Sequence, residues 1–152
     1  MSQPTLTLIE QDLTEEDREA VCAPLRTYNR ERNGEFFAKR DLPEHAARKL
    51  NLVARDGEGR IVGGLIAETQ FAWLKIEILS VAPESRHRGI GSLLMNAAET
   101  EARARGCQYA YLDTADYQAP LFYEKRGYIV AGKLPDWDSH GHAKYLFVKR
   151  LG

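Results

Sequence analysis

The chain has 152 residues, 43% of them hydrophobic, and its 21 Lys and Arg nearly cancel 22 Asp and Glu for a formal net charge of −1. That length and apolar content suit one domain, residues 1–152, with a real core and no need of a second. The charge balance gives no global pull toward nucleic acid or an anionic membrane, and no apolar stretch approaches the roughly 20 residues of a membrane span. Met1 to Glu10 lacks the basic start and apolar middle of a secretion signal, so the expectation is a cytoplasmic protein with a small partner. Cys22 and Cys107 fall in neither a Cys-x-x-Cys nor a zinc spacing and read as reduced thiols at packed helix or strand ends.

In chain order, Thr5 to Ile9 alternates like a strand, and Thr14-Glu15-Glu16-Asp17 has the composition of a helix N-cap with acid in the first turn. The helix runs toward Arg32, burying Val21, Leu25 and Tyr28, and Asn33-Gly34 stops it before a less regular segment holding Phe36 and Phe37. Leu50 to Arg55 and Ile61 to Thr69 read as strands of an antiparallel hairpin around Asp56-Gly57-Glu58-Gly59. Gly63-Gly64 in the second strand predicts a bulge or a close backbone approach. Leu74 to Val81 is a further strand, which Pro83 bars from continuing. From Ile90, apolar residues recur at Leu93, Leu94, Ala97 and Ala98 as on a helix packed against a sheet, and Gly106 ends that helix. Tyr109 to Asp113 is the next strand, Pro120 opens a short helix that Gly127 closes, and Tyr128 to Leu134 and Ala143 to Arg150 complete the sheet. This order predicts an α/β (α+β) domain on a mixed, largely antiparallel sheet flanked by helices.

The run Arg86-His87-Arg88-Gly89-Ile90-Gly91 lies where the apolar strand gives way to the helix. The first amides of a helix lack internal partners and sit at the positive end of its dipole, and glycine lets a phosphate approach the chain closely, so this loop is a candidate phosphate seat. The third glycine of a dinucleotide-binding turn is missing, and no Gly-Lys-Ser/Thr marks a nucleoside-triphosphate loop. The stretch Leu79 to Leu94, followed later by Phe122-Tyr123-Glu124-Lys125-Arg126-Gly127-Tyr128, resembles the coenzyme A signature of the GNAT (general control non-repressible N-acetyltransferase) superfamily. The resemblance covers most of the chain and implies the same fold.

What the resemblance implies is acetyl transfer from acetyl-CoA, as co-substrate, to the amine of a small molecule or peptide, with no metal required. In that family the pantetheine arm inserts beside a splayed central strand, the position of Leu79, Ser80 and Val81, and the amide of Leu79 or Val81 is the candidate for polarising the thioester carbonyl. The alternative is that these are ordinary strand residues. The pyrophosphate would sit on the backbone of Arg86, His87, Arg88, Gly89, Ile90 and Gly91, with the Ser92 hydroxyl added. The side chains of His87 and Arg88 equally fit a solvated surface. Tyr123 stands where relatives place a tyrosine beside the departing sulfur, as general acid; the competing reading is an aromatic packed on the short helix. Asp116 occupies the place of a family Asn that contacts the coenzyme, although an ionised Asp cannot donate a hydrogen bond, and turn formation is the equal alternative.

Glu77, two residues before Leu79, is a looser match to a carboxylate that receives the amine proton. An ordinary Glu at about 4.3 lies roughly six units below such an amine, an uphill transfer of about 8 kcal/mol, so relay through water competes with direct abstraction, and a structural ion pair competes with both. His140-Gly141-His142 lacks further ligands at metal spacing. The Pro135 to His142 loop with Trp137 lies, by the resemblance, where the acceptor enters, and Trp73 and Phe71 line that region or belong to the core. Two other functions fit the same residues: transfer of a longer acyl group, and a non-catalytic CoA-binding sensor or scaffold. The acceptor and the oligomeric state, a homodimer included, stay open.

Overall fold

Thr14 starts the first helix, its hydroxyl accepting the Asp17 N–H at 3.1 Å while the Asp17 carboxylate accepts the Thr14 N–H at 3.0 Å. This reciprocal cap satisfies two donors that a helix start leaves over. The computed structural model describes residues 9–152, which divide after Glu44 into two compact units. In the first, α1 spans Glu15–Arg32 and α2 spans Gly34–Arg40. The strand expected over Thr5 to Ile9 lies outside the described residues except for Ile9, which is in no strand.

Two expectations for this unit change. Asn33-Gly34 ends α1 as expected, but the less regular segment expected after it is a second helix: Asn33, at φ −139°, leaves α1 and Gly34 begins α2, where Lys39 pairs with Glu35 one turn back at 2.8 Å. The apolar side of α1 is present but not buried, with Val21, Leu25 and Tyr28 at 67%, 60% and 54% exposure. The helix packed against it in its own unit, α2, has only seven residues.

The second unit is a six-stranded sheet of β1 (Arg48–Arg55), β2 (Ile61–Gln70), β3 (Trp73–Val81), β4 (Tyr109–Ala115), β5 (Ile129–Leu134) and β6 (Lys144–Arg150) in the order β1-β2-β3-β4-β6-β5. Every neighbouring pair is antiparallel except β3 and β4. The β1–β2 turn is fixed by Asp56, whose carboxylate accepts the N–H groups of Glu58 and Arg60 at 2.9 Å. Helix α3 (Ile90–Ala104) crosses one face, and α4 (Pro120–Lys125) connects β4 to β5.

The core lies between α3 and the sheet, where Leu94, Met95, Ala98 and Ala102 meet Leu65, Leu74, Ile76, Leu112 and Phe147. Leu93, expected on this face, is 67% exposed; Met95 and Ala102 take the place in the stripe expected of Leu93 and Ala97. The close approach expected at Gly63-Gly64 is seen at Gly63, where a Cβ would lie 3.0 Å from the Ser80 carbonyl oxygen and 3.1 Å from Ile90 Cγ2. Gly63 thus lets the first residue of α3 settle on β2.

Candidate active site

Strands β3 and β4 pair in parallel only from Trp73↔Tyr109 to Lys75↔Tyr111. Beyond Lys75 they separate, each still held by its outer neighbour, β2 or β6. The gap opens into a cleft of about 1160 Å³, walled by the rest of β3, the loop into α3, the end of β4 and α4. The Ala82 N–H donates to the Val62 carbonyl at 2.9 Å, so by strand alternation the N–H groups of Leu79 and Val81 point the other way, into the gap. The Val81 carbonyl on that side accepts from Arg86 Nε at 3.1 Å, which ties the loop to the strand end.

Gly89 caps α3 at φ +79°, a conformation L side chains resist, and a Cβ there would meet nothing within 4 Å. The first helical bond runs from Leu93 N–H to the Gly89 carbonyl, so the amides of Ile90, Gly91 and Ser92 stand before the helical ladder. Gly91 faces the Phe122 ring at ordinary contact distance, 3.4 Å from where its Cβ would be. An open helix start beside an unpaired strand edge fits a pyrophosphate followed by an amide-bearing arm. Of the expected cofactor-side residues, Leu79, Ser80, Val81, Arg86, His87, Gly89, Ile90, Gly91 and Ser92 line this cleft, and Arg88 does not.

Asp116 also lies outside the lining. Its carboxylate accepts the Ala143 N–H at 2.9 Å and meets His142 Nδ1 at 2.8 Å, and these contacts, the backbone bond foremost, hold its pKa below the ordinary value. These contacts join the end of β4 to the start of β6, a tie across the sheet that neither reading of Asp116 anticipated. The adjacent Gln118, not singled out by the sequence, does line the cleft. Its Oε1 accepts the Ala115 N–H at 2.8 Å and the Thr114 hydroxyl at 3.0 Å.

Tyr123 lies on α4. It lines the cleft, yet is only 8% exposed and packs against Phe122, Tyr128 and Phe147 with ring centres 5.2, 6.0 and 6.1 Å away. Burial raises its pKa above the ordinary 10.0, keeping the phenol protonated. Glu77 lines the opposite wall. In the β2–β3 register Ile66 pairs with Ile78 and Ala67 with Ile76, so Glu77 is the extra residue of a β-bulge, a feature that re-aims a side chain. Its carboxylate lies 3.3 Å from Lys75 Nζ, with both side chains 43% exposed, and the pairing raises the lysine pKa.

Trp137 in the β5–β6 loop and Lys144 at the start of β6 line the cleft too. Trp73 and Phe71 do not; with Tyr111 they border a separate hollow of about 440 Å³. His140 is held through Nδ1 by the Asp138 carbonyl at 2.9 Å, and among the described residues no group of three or more His, Cys, Asp or Glu is placed to hold a metal. Cys107 is buried and Cys22 half-buried, both as free thiols. No helix among the described residues is long and apolar enough to cross a membrane.

The model of the acetyltransferase (GNAT) family matches residues 9–128. A blasticidin-S acetyltransferase of Streptomyces morookaense is 39% identical over 131 residues, covering 84% of this chain and 96% of that protein. An acetyltransferase of Agrobacterium fabrum is 38% identical over 78% of this chain and 80% of its own length. Among solved structures, an acetyltransferase from Bacillus cereus superposes with a TM-score of 0.71 at 31% identity, covering 95% of this chain and 98% of its own.

Proposed function

The chain belongs to the acetyltransferase (GNAT) family and is an acetyl-CoA-dependent acetyltransferase, and on that premise we propose that it transfers acetyl to a primary amine of a small molecule, the amine attacking the thioester directly. The observation that carries this reading is the splay of β3 from β4 ending beside the open start of α3, with Tyr123 within the same cleft. The relative named for acetylating blasticidin S supports a small-molecule acceptor over a peptide. The family match runs across the division after Glu44, which supports residues 1–152 acting as one domain.

In this mechanism the amides of Ile90, Gly91 and Ser92 hold the pyrophosphate at the positive end of α3, and Arg86 braces the loop. The Leu79 or Val81 N–H donates to the thioester oxygen as negative charge develops there. Tyr123 gives its proton to the departing sulfur. Glu77, aimed by the bulge, receives the amine proton directly or through water. Thiol release from acetyl-CoA in the presence of polyamines, amino acids, aminoglycosides, nucleoside antibiotics and lysyl peptides tests the proposal. Release with at least one small amine, with the product acetylated on nitrogen, is expected; no release above hydrolysis with any amine would overturn it.

A further inference from the structure

The Lys144 ammonium lies 3.7 Å from the centre of the Trp137 ring and 3.4 Å from Asp113 Oδ1, and all three residues line the cleft with Glu77. An aromatic face and a carboxylate converging on one ammonium form a cation seat. Its parts are fixed by the fold. Lys144 opens β6 between Ala115 of β4 and Leu134 of β5. Trp137 sits in a loop closed by its own N–H to the His142 carbonyl at 2.9 Å, and the Asp138 carboxylate accepts the N–H groups of His140 and His142. The walls of the seat face solvent, Asp113 with 63% of its side chain exposed and Trp137 at 41%, whereas the lysine within it is 28% exposed.

We propose that Lys144 determines which acceptors the enzyme takes, by filling this seat with the chain's own cation and so disfavouring amines that carry a second positive charge. The inference rests on the acceptor entering this cleft, as proposed above. A second ammonium or guanidinium on the acceptor would have to displace Lys144 from Trp137 and Asp113 and would then face it as a like charge. An acceptor whose body is neutral or anionic meets no such opposition. Without the lysine charge, the same indole and carboxylate become a site for the distal cation.

The test is Lys144→Met, which keeps the aliphatic stem and removes the charge, with Lys144→Gln as a second variant should the first fail to fold. A series of α,ω-alkyldiamines and the monoamines of matching length is titrated calorimetrically into the CoA-saturated parent and variants. Diamine affinity should rise about tenfold relative to the matched monoamine, the product of a cation–π contact and an exposed ion pair each worth a few-fold. Adding Asp113→Asn should remove much of that gain. Lys133→Met is the control, since Lys133 Nζ lies 5.7 Å from the Tyr145 ring and the residue does not line the cleft. A folded Lys144 variant with an unchanged diamine-to-monoamine ratio, or with no diamine binding, overturns the proposal. If the parent acetylates no amine, the N-acetyltransferase reading fails, while the titration still decides the part played by Lys144.

Discussion

Three neighbouring rings hold Tyr123, and the same burial keeps its phenol protonated, the state the proposed general-acid role requires. Tyr123→Phe preserves the ring and removes the proposed donor to the leaving sulfur. Single-turnover acetyl transfer should fall about 10²- to 10⁴-fold, on the order of 3 to 5 kcal/mol in the barrier, while acetyl-CoA affinity changes far less. Because the pKa is raised above 10.0, the acid form persists across neutral pH and is lost only as pH rises through that higher value. The tyrosine-dependent alkaline limb of the pH–rate profile should therefore lie above pH 10.0, and a limb below it would assign the proton to another group. Gly89→Val places a branched side chain at φ +79°, so the helix start must shift; CoA affinity by calorimetry should collapse while the melting curve stays cooperative. That Tyr123 and Gly89 lie together in one cleft was legible because each belongs to a local motif. Asp116 was not, since its partner His142 stands 26 residues later and nothing local announces the contact.

At the scale of elements, α3 was readable from its spacing, but its buried stripe holds a residue the pattern concealed. Glu99, 3% exposed, accepts from Lys149 Nζ at 2.8 Å and from the Tyr128 hydroxyl at 3.1 Å, with Arg126 NH2 3.8 Å away. It clamps α3 to β6 and to the segment that follows α4. Its lysine partner lies 50 residues away in sequence, so Glu99 read alone looks like any exposed helix acid. Glu99→Gln leaves Lys149 and Arg126, with 19% and 13% of their side chains exposed, without their buried carboxylate and should cost about 1 to 3 kcal/mol in urea unfolding; no measurable loss would mean that solvent carries the charge instead. Two other features escaped the sequence. Helix α2 is one, since the stop expected at Asn33-Gly34 is real but only seven residues of helix follow it, too few for a period to show. The bulge at Glu77 adds one residue without changing composition, and only the pairing with β2 exposes it.

Across the whole molecule, the mixed sheet and the sequence of elements followed from hydrophobic period and turn residues, whereas the placement of β6 between β4 and β5 did not. Strand order depends on which edges meet in space, and no local pattern of residues encodes that. Since the co-substrate binds the folded chain, acetyl-CoA at a hundred times its Kd should add about 2.7 kcal/mol of stability. Melting by calorimetry should then show one transition shifted upward as a unit if residues 1–152 act as one domain. Two transitions, one of them insensitive to acetyl-CoA, would divide the chain functionally as well as geometrically.

The early end of β3–β4 pairing also has a kinetic signature. A sheet interior ordinarily shelters its amides from solvent deuterium for as long as the fold holds, but the N–H groups of Leu79 and Val81 point into a gap instead of at a neighbouring strand. In the free protein these two positions should exchange within seconds to minutes, like loop amides, while the Ala82 amide, bonded to Val62, stays protected. If coenzyme A lies along that edge as an added strand, as proposed, it should slow both sites together. Residue-resolved exchange would read this directly, and protection of Leu79 and Val81 in the free protein would mean that the gap closes in solution.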